Sequence, residues 1–377
     1  MTAPASLPVS LADYERLAEA RLSAGAWAYF AGGAADEITA RWNREAFDRI
    51  LFAPRHLLDV SRRDLSTRLF GRQLSSPLVI APTGLNGALR PDGDRLLARA
   101  AQDAGIPFCL STASTTAIEE LAGSVGGDLW FQLYVMHREL ARQLVRRAHG
   151  AGYSTLVLTV DVAVGGRRPR DMRNGFGVPF RMSPRFALDC ALHPAWTLRQ
   201  LRHGLPQLAN MADAAATDVT AQARLMQRQM DASFAWDDLK SLRDDWPRTL
   251  LVKGILDPGD VAACFELGVD GVVLSNHGGR QLEDVAAPVD VLAATDDPGK
   301  PLLVDSGIRS GADIAKALAS GASAVLVGRA VLYGLAAAGQ DGVRDVLRLL
   351  REELDNTLAL GGCANVADLS ASHIRRA

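Results

Sequence analysis

Residues 271–281 read GVVLSNHGGRQ: an apolar run stops abruptly, and a histidine, two glycines and an arginine follow. His277 and Arg280 are ionisable side chains of the kind a reactive site needs. A buried strand can hold rigidly what its following loop presents. The same punctuation recurs along the chain. Apolar runs end in Pro82-Thr83-Gly84, in Ser111-Thr112-Ala113, in Gln132 and Tyr134, in Thr159 and Asp161, and in Lys253. After Ser275 to Arg280, the last two end in Asp305-Ser306-Gly307-Ile308-Arg309 and in Gly328-Arg329. One polar strand end needs only a solvated turn, but eight converging on one rim are hard to ascribe to solvation. The final two ends, SGIRSG and VGRA, combine small residues and backbone N–H groups with Arg309 and Arg329. That is the chemistry of a phosphate site. The bland alternative is two arginines capping the rim by pairing with carboxylates.

Such ends need a scaffold that brings them together. Eight short β-rich runs lack polar alternation: PLVIAP (77–82), PFCLS (107–111), LWFQLYV (129–135), TLVLTVD (155–161), TLLVKG (249–254), GVVLSN (271–276), PLLVDSG (301–307) and SAVLVGR (323–329). They fit parallel strands covered on both faces. Ala-rich helical stretches such as DRLLARAAQDAG and GADIAKALASG fill most gaps, several closing on Gly as a C-cap. Eight βα units predict an α/β fold, the TIM (β/α)8 barrel, whose active sites lie at the C-terminal strand ends. An open doubly wound sheet would want a GxGxxG turn after an early strand, and none is present.

Ahead of the barrel, residues 10–47 read as helical, with Ser10 and Asp13 spaced as a capping box and an apolar stripe of Leu11, Tyr14, Leu17 and Leu22. The chain therefore reads as one domain, 1–377: N-terminal helices and a lead-in over 1–75, then the barrel over 76–377. One gap breaks the rhythm, since nearly ninety residues separate Asp161 from Leu250. The insertion after strand 4 is placed at 174–235; so long a connection is either functional or disordered.

Bulk properties narrow the function classes. With 377 residues, 48% of them hydrophobic, and a net charge of -2, the chain can bury a large core and has no global basicity suited to nucleic acid. Cys109, Cys190, Cys264 and Cys363 form neither a CxxC pair nor a Cys/His cluster at metal-ligand spacing, so no metal is expected and free thiols are. The N-terminal residues have no basic start followed by an apolar core, so no signal peptide is expected. No run is apolar enough to span a bilayer.

At SNHGGRQ the sequence resembles the FMN-dependent α-hydroxy-acid oxidase and dehydrogenase family. AYFAGGAADE, NREAFDRILFAPRHLLDVSRRD, IAPTGLNGA, FQLYV, GRRPRDMRN, LVKGI, VDSGIRSG and VLVGRA extend the resemblance over nearly the whole chain. Its branch acting on mandelate is the most similar, through PTGLNGAL, LSTAS, DLWFQLYV, LHPAW, GLPQLAN and RQMDASF. The resemblance implies FMN as cofactor and a homotetramer. It implies that His277 is the active-site base, a task that suits imidazole as a group, and that Asp161 orients it. Arg280 and Arg168 would grip the substrate carboxylate with their guanidinium forks, and Tyr29 and Tyr134 would supply the hydroxyls that bind the carboxylate and the α-hydroxyl. Lys253 would stand where charge accumulates on the reduced flavin. Pro82, Thr83, Gly84, Ser111, Gln132, Thr159 and Ser275 would hold the isoalloxazine. Asp305, Ser306, Gly307, Arg309, Gly328 and Arg329 would hold the rest of the cofactor with its phosphate.

Two departures from the glycolate oxidase pattern carry information. That pattern has Trp where Ala113 stands, and losing an indole makes room for an aromatic substituent. It also has Ala in place of Gly84, a glycine that the mandelate branch shares and that favours poor reactivity with oxygen. Residues 173–211 carry five Arg against one Asp, interleaved with Phe176, Phe180, Phe186, Leu188, Trp196, Leu198, Leu201 and Leu205. The residues alone fit an anionic membrane surface, a lid or a subunit contact equally well; the resemblance favours the membrane.

The combined expectation is oxidation of an aromatic (S)-2-hydroxy acid, (S)-mandelate first, by a peripheral protein on the cytoplasmic side of the inner membrane that passes electrons to a quinone. A soluble oxidase releasing peroxide is one rival. An inactive membrane-binding barrel is another, and the complete set of strand-end residues argues against it.

Overall fold

The computed structural model describes residues 8–174, 184–204, 206–211 and 230–377. All eight apolar runs are strands: β1 (Leu78–Ile80), β2 (Phe108–Ser111), β3 (Leu129–Leu133), β4 (Thr155–Thr159), β5 (Thr249–Ile255), β6 (Gly271–Leu274), β7 (Leu302–Val304) and β8 (Ala324–Val327). They pair in sequence order, and β8 closes on β1 through Val325 opposite Leu78. The expected TIM barrel is therefore the observed one. Alternation explains why the runs look uniformly apolar. Val79, Cys109, Trp130, Val157, Leu251, Val273 and Leu303 form one buried cluster, while Leu78, Ile80, Leu156, Leu158, Leu250 and Val252 belong to a second, larger one. Both faces of each strand are covered, so neither set can be polar.

The N-terminal end of the barrel is closed by a hairpin of two short strands, Thr67–Leu69 and Arg72–Leu74. Phe70 at its tip packs edge-on against Trp130 with ring centroids 6.1 Å apart. Gly271 makes room for it, because a Cβ there would lie 2.9 Å from the Phe70 ring.

Ahead of the hairpin lie α1 (Leu11–Arg21), α2 (Ala24–Ala31) and α3 (Ile38–Asp48). The capping box at Ser10 and Asp13 starts α1 as expected, and Leu11, Tyr14 and Leu22 are buried while Leu17 is only partly so. Strand Ile50–Phe52 pairs antiparallel with Ile374–Arg376, a tie between the two ends of the domain that the sequence reading did not anticipate. All four cysteines are unpaired, and Cys109, Cys264 and Cys363 are buried.

Within the insertion, two α-helices are described, Pro184–Leu192 and Pro194–His203. They dock on the domain by named polar contacts. Trp196 Nε1 donates to Ala88 O at 3.0 Å, and Gln200 Nε2 donates to Gly87 O at 3.1 Å and Ala88 O at 2.9 Å. The Asp189 carboxylate accepts from Ala24 N at 2.9 Å and Gly25 N at 3.2 Å, where α2 begins with unsatisfied N–H groups. The apolar residues of the insertion consequently divide into two sets. Phe186 and Trp196 are buried, whereas Leu188, Leu192, Leu198 and Leu201 are exposed. Phe176, Phe180 and Leu205 lie outside the described residues.

Candidate active site

A cavity of about 630 Å³ opens at the C-terminal ends of the strands. The turn after β6 dominates it. His277 has φ 58°, in the left-handed region that a side chain with a Cβ rarely adopts. Three contacts hold it there. His277 N donates to Ser275 Oγ at 3.0 Å, Gly278 N donates to Ser306 Oγ at 2.9 Å, and Asn276 exchanges side-chain hydrogen bonds with Asn43 of α3 at 2.7 and 2.8 Å. The ring is thereby aimed across the barrel mouth. Its Nδ1 lies 3.0 Å from Asp161 Oδ1, beyond the end of β4, and its Nε2 lies 3.2 Å from the Tyr134 hydroxyl, beyond β3. With Asp161 accepting from Nδ1–H, Nε2 is the nitrogen that faces the cavity with a lone pair. Burial alone would raise the Asp161 carboxyl, but the adjacent His277 ring and Lys253 cation hold it below its usual range. Burial and the Asp161 charge push the Tyr134 phenol up, so it keeps its proton.

Two guanidinium groups face this pair. Arg280 donates to Tyr29 O at 2.7 Å and Gly32 O at 2.8 Å, which pins the loop after α2. Arg168, on the loop after β4, donates through Nε to Asp171 Oδ2 at 2.7 Å. The Tyr29 ring is close to both, 5.2 Å from the Arg280 guanidinium carbon and 5.6 Å from that of Arg168. Two cations, a hydroxyl-bearing ring and a hydrogen-bonded imidazole therefore share one wall, the arrangement needed to hold a carboxylate and remove a neighbouring proton.

Across the cavity, Lys253 is only 3% exposed at the end of β5. It donates to Ser275 Oγ at 2.7 Å and pairs with Asp305 Oδ2 at 3.1 Å. Burial disfavours its charge, but Asp305 and Asp161 prevail and raise its pKa above the ordinary lysine value. Asp305 thus acts on Lys253 and on Ser306 Oγ at 2.7 Å, a role that its position after an apolar run did not reveal.

Asp161, Gln132, Thr159 and Ser275 stand behind the cavity wall, whereas Pro82, Thr83, Gly84, Ser111 and Gly328 reach it. Gln132 accepts from Ser111 Oγ at 3.0 Å, yet its Nε2 and the Thr159 Oγ1 are buried with no hydrogen-bond partner among the described residues. Buried polar atoms without partners are costly. Two of them on neighbouring strands beside a buried lysine suit the polar edge of a heterocycle. At the far end, Gly307 takes φ 100°, and a Cβ there would lie 2.3 Å from Asn43 O, so only glycine fits this loop.

Arg329 spends Nε, Nη1 and Nη2 on the carbonyls of Phe30, Gly278 and Gly32. Burial, with Arg280 and Arg309 nearby, pushes its guanidinium down to about 9. Cations crowded in this way are relieved by an anion. The described residues fit FMN: a polar ledge for the ring system and a basic, glycine-walled end for a phosphate.

Gly84 and Ala113 occupy each other's space. A Cβ on Gly84 would sit 2.8 Å from the Ala113 Cβ, so the two departures noted in the sequence are one contact. Sequence reasoning missed Asp171 and the apolar lining from Val162, Met172 and Met230. The Arg168–Asp171 spacing of three residues was the available signal for the first.

A parallel eightfold barrel with this constellation defines a class of flavin-dependent oxidoreductases acting on 2-hydroxy acids. Residues 18–376 match the FMN-dependent dehydrogenase family, and the chain belongs to it. The chain is 53% identical to (S)-mandelate dehydrogenase of Pseudomonas putida over 96% of its own length and 93% of that protein's. Glycolate oxidase 3 of Oryza sativa subsp. indica is 38% identical, with 98% and 96% covered. Among solved structures, a monotopic membrane protein, (S)-mandelate dehydrogenase, superposes with a TM-score of 0.96 at 52% identity, covering 98% of this chain and 100% of that one. A mandelate oxidase gives a TM-score of 0.84 at 38% identity, with 98% of each chain covered.

Proposed function

We propose that the chain oxidises an aromatic (S)-2-hydroxy acid, (S)-mandelate, to the 2-oxo acid. The observation that carries this reading is the His277 ring, backed by Asp161, on the same cavity wall as Arg168 and Arg280, with Gly84 and Ala113 leaving space beside them. FMN, when bound, would take up the two electrons leaving the α-carbon together with one of the two protons lost as the C–H and O–H bonds break. The protein's residues do the rest. Arg168 and Arg280 bind the substrate carboxylate and fix the α-carbon in the cavity. His277 Nε2 takes a proton from the substrate, and Asp161, accepting from Nδ1–H, orients the ring in the tautomer whose lone pair is on Nε2 and stabilises the imidazolium afterwards. The Tyr134 phenol, held protonated, donates to the substrate oxygen. Lys253 supplies a fixed cation on the opposite side, where negative charge develops. Gln132 Nε2 and Thr159 Oγ1 would hold the cofactor's polar edge, and Arg309 and Arg329 would hold its phosphate.

The same reading makes the protein a peripheral one on the cytoplasmic side of the inner membrane, passing electrons to a quinone. Its relative of known structure is described as monotopic, and here the exposed Leu188, Leu192, Leu198 and Leu201 alternate with Arg199 and Arg202 on the docked insertion helices. No described helix is long and apolar enough to cross a membrane, so attachment would be by a surface. A homotetramer is proposed on family resemblance. Reoxidation separates the acceptors: substrate-reduced enzyme mixed with a soluble quinone should turn yellow at least ~10-fold faster than with oxygen. Reoxidation faster in air than with quinone would make it an oxidase.

A further inference from the structure

The wall that holds Arg168 contains a carboxylate which the mechanism above does not use. Asp171 lies in the short helix Pro169–Asn174, is 8% exposed and reaches the cavity. Its Oδ2 accepts from Arg168 Nε at 2.7 Å. Its Oδ1 is buried and has no hydrogen-bond partner among the described residues. Burial pushes its carboxyl pKa up, against the pull of Arg168 and Arg280. Burying a half-satisfied carboxylate costs stability, a cost that a functional role would explain.

Guanidinium geometry points to that purpose. The five N–H groups of an arginine lie in one plane, so fixing Nε fixes where the terminal pair points. Arg168 is a long side chain on a loop, stacked beside Tyr29 at 5.6 Å. Among the described residues, the hydrogen bond of its side chain goes to Asp171, so this bond sets the rotation of the fork.

We infer that Asp171 is a positioning residue: by engaging Arg168 Nε it turns the two terminal nitrogens toward the substrate carboxylate. The inference rests on the reading of Arg168 as a carboxylate ligand. Asp171 touches neither substrate nor cofactor in this scheme. Its effect passes entirely through Arg168 and is confined to substrate binding, the signature of a contact equally strong in ground and transition states.

The test is anaerobic flavin reduction at varied (S)-mandelate in the holoenzyme, read as a limiting rate and a half-saturating concentration. Asp171→Ala should raise the half-saturating concentration at least ~10-fold while leaving the limiting rate within ~3-fold. Asp171→Asn keeps an acceptor oxygen for Nε and should stay within ~3-fold on both. Arg168→Met alone should raise the half-saturating concentration, and Arg168→Met/Asp171→Asn should bind substrate better than Arg168→Met. Without the guanidinium, the unpaired Asp171 carboxylate opposes an anionic ligand. That recovery reads the pairing even if Asp171→Ala fails to retain flavin.

If Asp171→Ala leaves half-saturation unchanged while Arg168→Met raises it, the positioning role is wrong and the reading of Arg168 stands. If the penalties simply add, or the double variant shows no recovery, the inference also fails. If Arg168→Met leaves half-saturation unchanged, the reading of Arg168 itself fails and the inference falls with it.

Discussion

His277 was legible from sequence because it follows an apolar run within a recognisable motif; its backbone was not. The left-handed φ of 58° depends on Ser275, Ser306 and the Asn43–Asn276 pair, and Asn43 lies over two hundred residues away in the chain. Replacing His277 with Ala should slow flavin reduction at least ~10²-fold, the lower end for removal of a general base, with FMN still bound. Stopped-flow reduction together with the flavin-to-protein ratio checks this, and a near-normal rate would end the assignment.

The Gly84–Ala113 contact sharpens a second expectation. Ala113 is 7% exposed and lines the cavity, and the side against Gly84 is already filled. An indole at 113 must therefore project into the space assigned to the phenyl ring. Ala113→Trp should abolish turnover of mandelate while retaining or improving it on a short aliphatic 2-hydroxy acid. Equal losses on both substrates would mean general damage. Asp171 escaped the sequence reading despite its spacing from Arg168, and Asp305 was read there as a cofactor residue and not as the partner of Lys253, because a strand-end carboxylate that faces a buried cation looks the same in sequence as one at a solvated turn.

At the scale of elements, the insertion is where sequence and structure part most. A mixture of Arg and apolar residues gave no direction for any side chain. The two docked helices assign directions: Trp196, Gln200 and Asp189 tie them to the domain, and Phe186 is buried. Removing the whole insertion would therefore uncover the carbonyls of Gly87 and Ala88 as well as any membrane face. The cleaner change replaces Leu188, Leu192, Leu198 and Leu201 with Ser and leaves the anchors intact. Sedimentation with anionic vesicles at low salt should fall sharply in that variant, while reduction by mandelate stays within ~2-fold of wild type. Binding by the unaltered protein should weaken with salt, since charges are screened over about 8 Å at physiological ionic strength. Indifference of the unaltered protein to vesicles would favour a subunit contact instead.

At the scale of the whole molecule, the barrel was readable because its strands are buried on both faces and its connections are regular. The eight runs and their order emerge unchanged. The strands at 50–52, 67–69, 72–74 and 374–376 were not readable: they are as short as β1 and β7 but lie outside the regular βα repeat that marked those two. Their pairing is decided by distant chain segments. Convergence of the strand ends on one cavity is what turns a list of polar residues into a site.

The account as a whole is tested most directly by mixing the FMN-loaded protein anaerobically with (S)-mandelate. The yellow oxidised flavin should bleach, with one equivalent of 2-oxo acid formed per flavin. (R)-mandelate should leave the colour in place, because the two arginines fix the carboxylate and His277 stands on one face of the α-carbon. A flavin that stays oxidised with (S)-mandelate, or that bleaches equally with both enantiomers, would contradict the account.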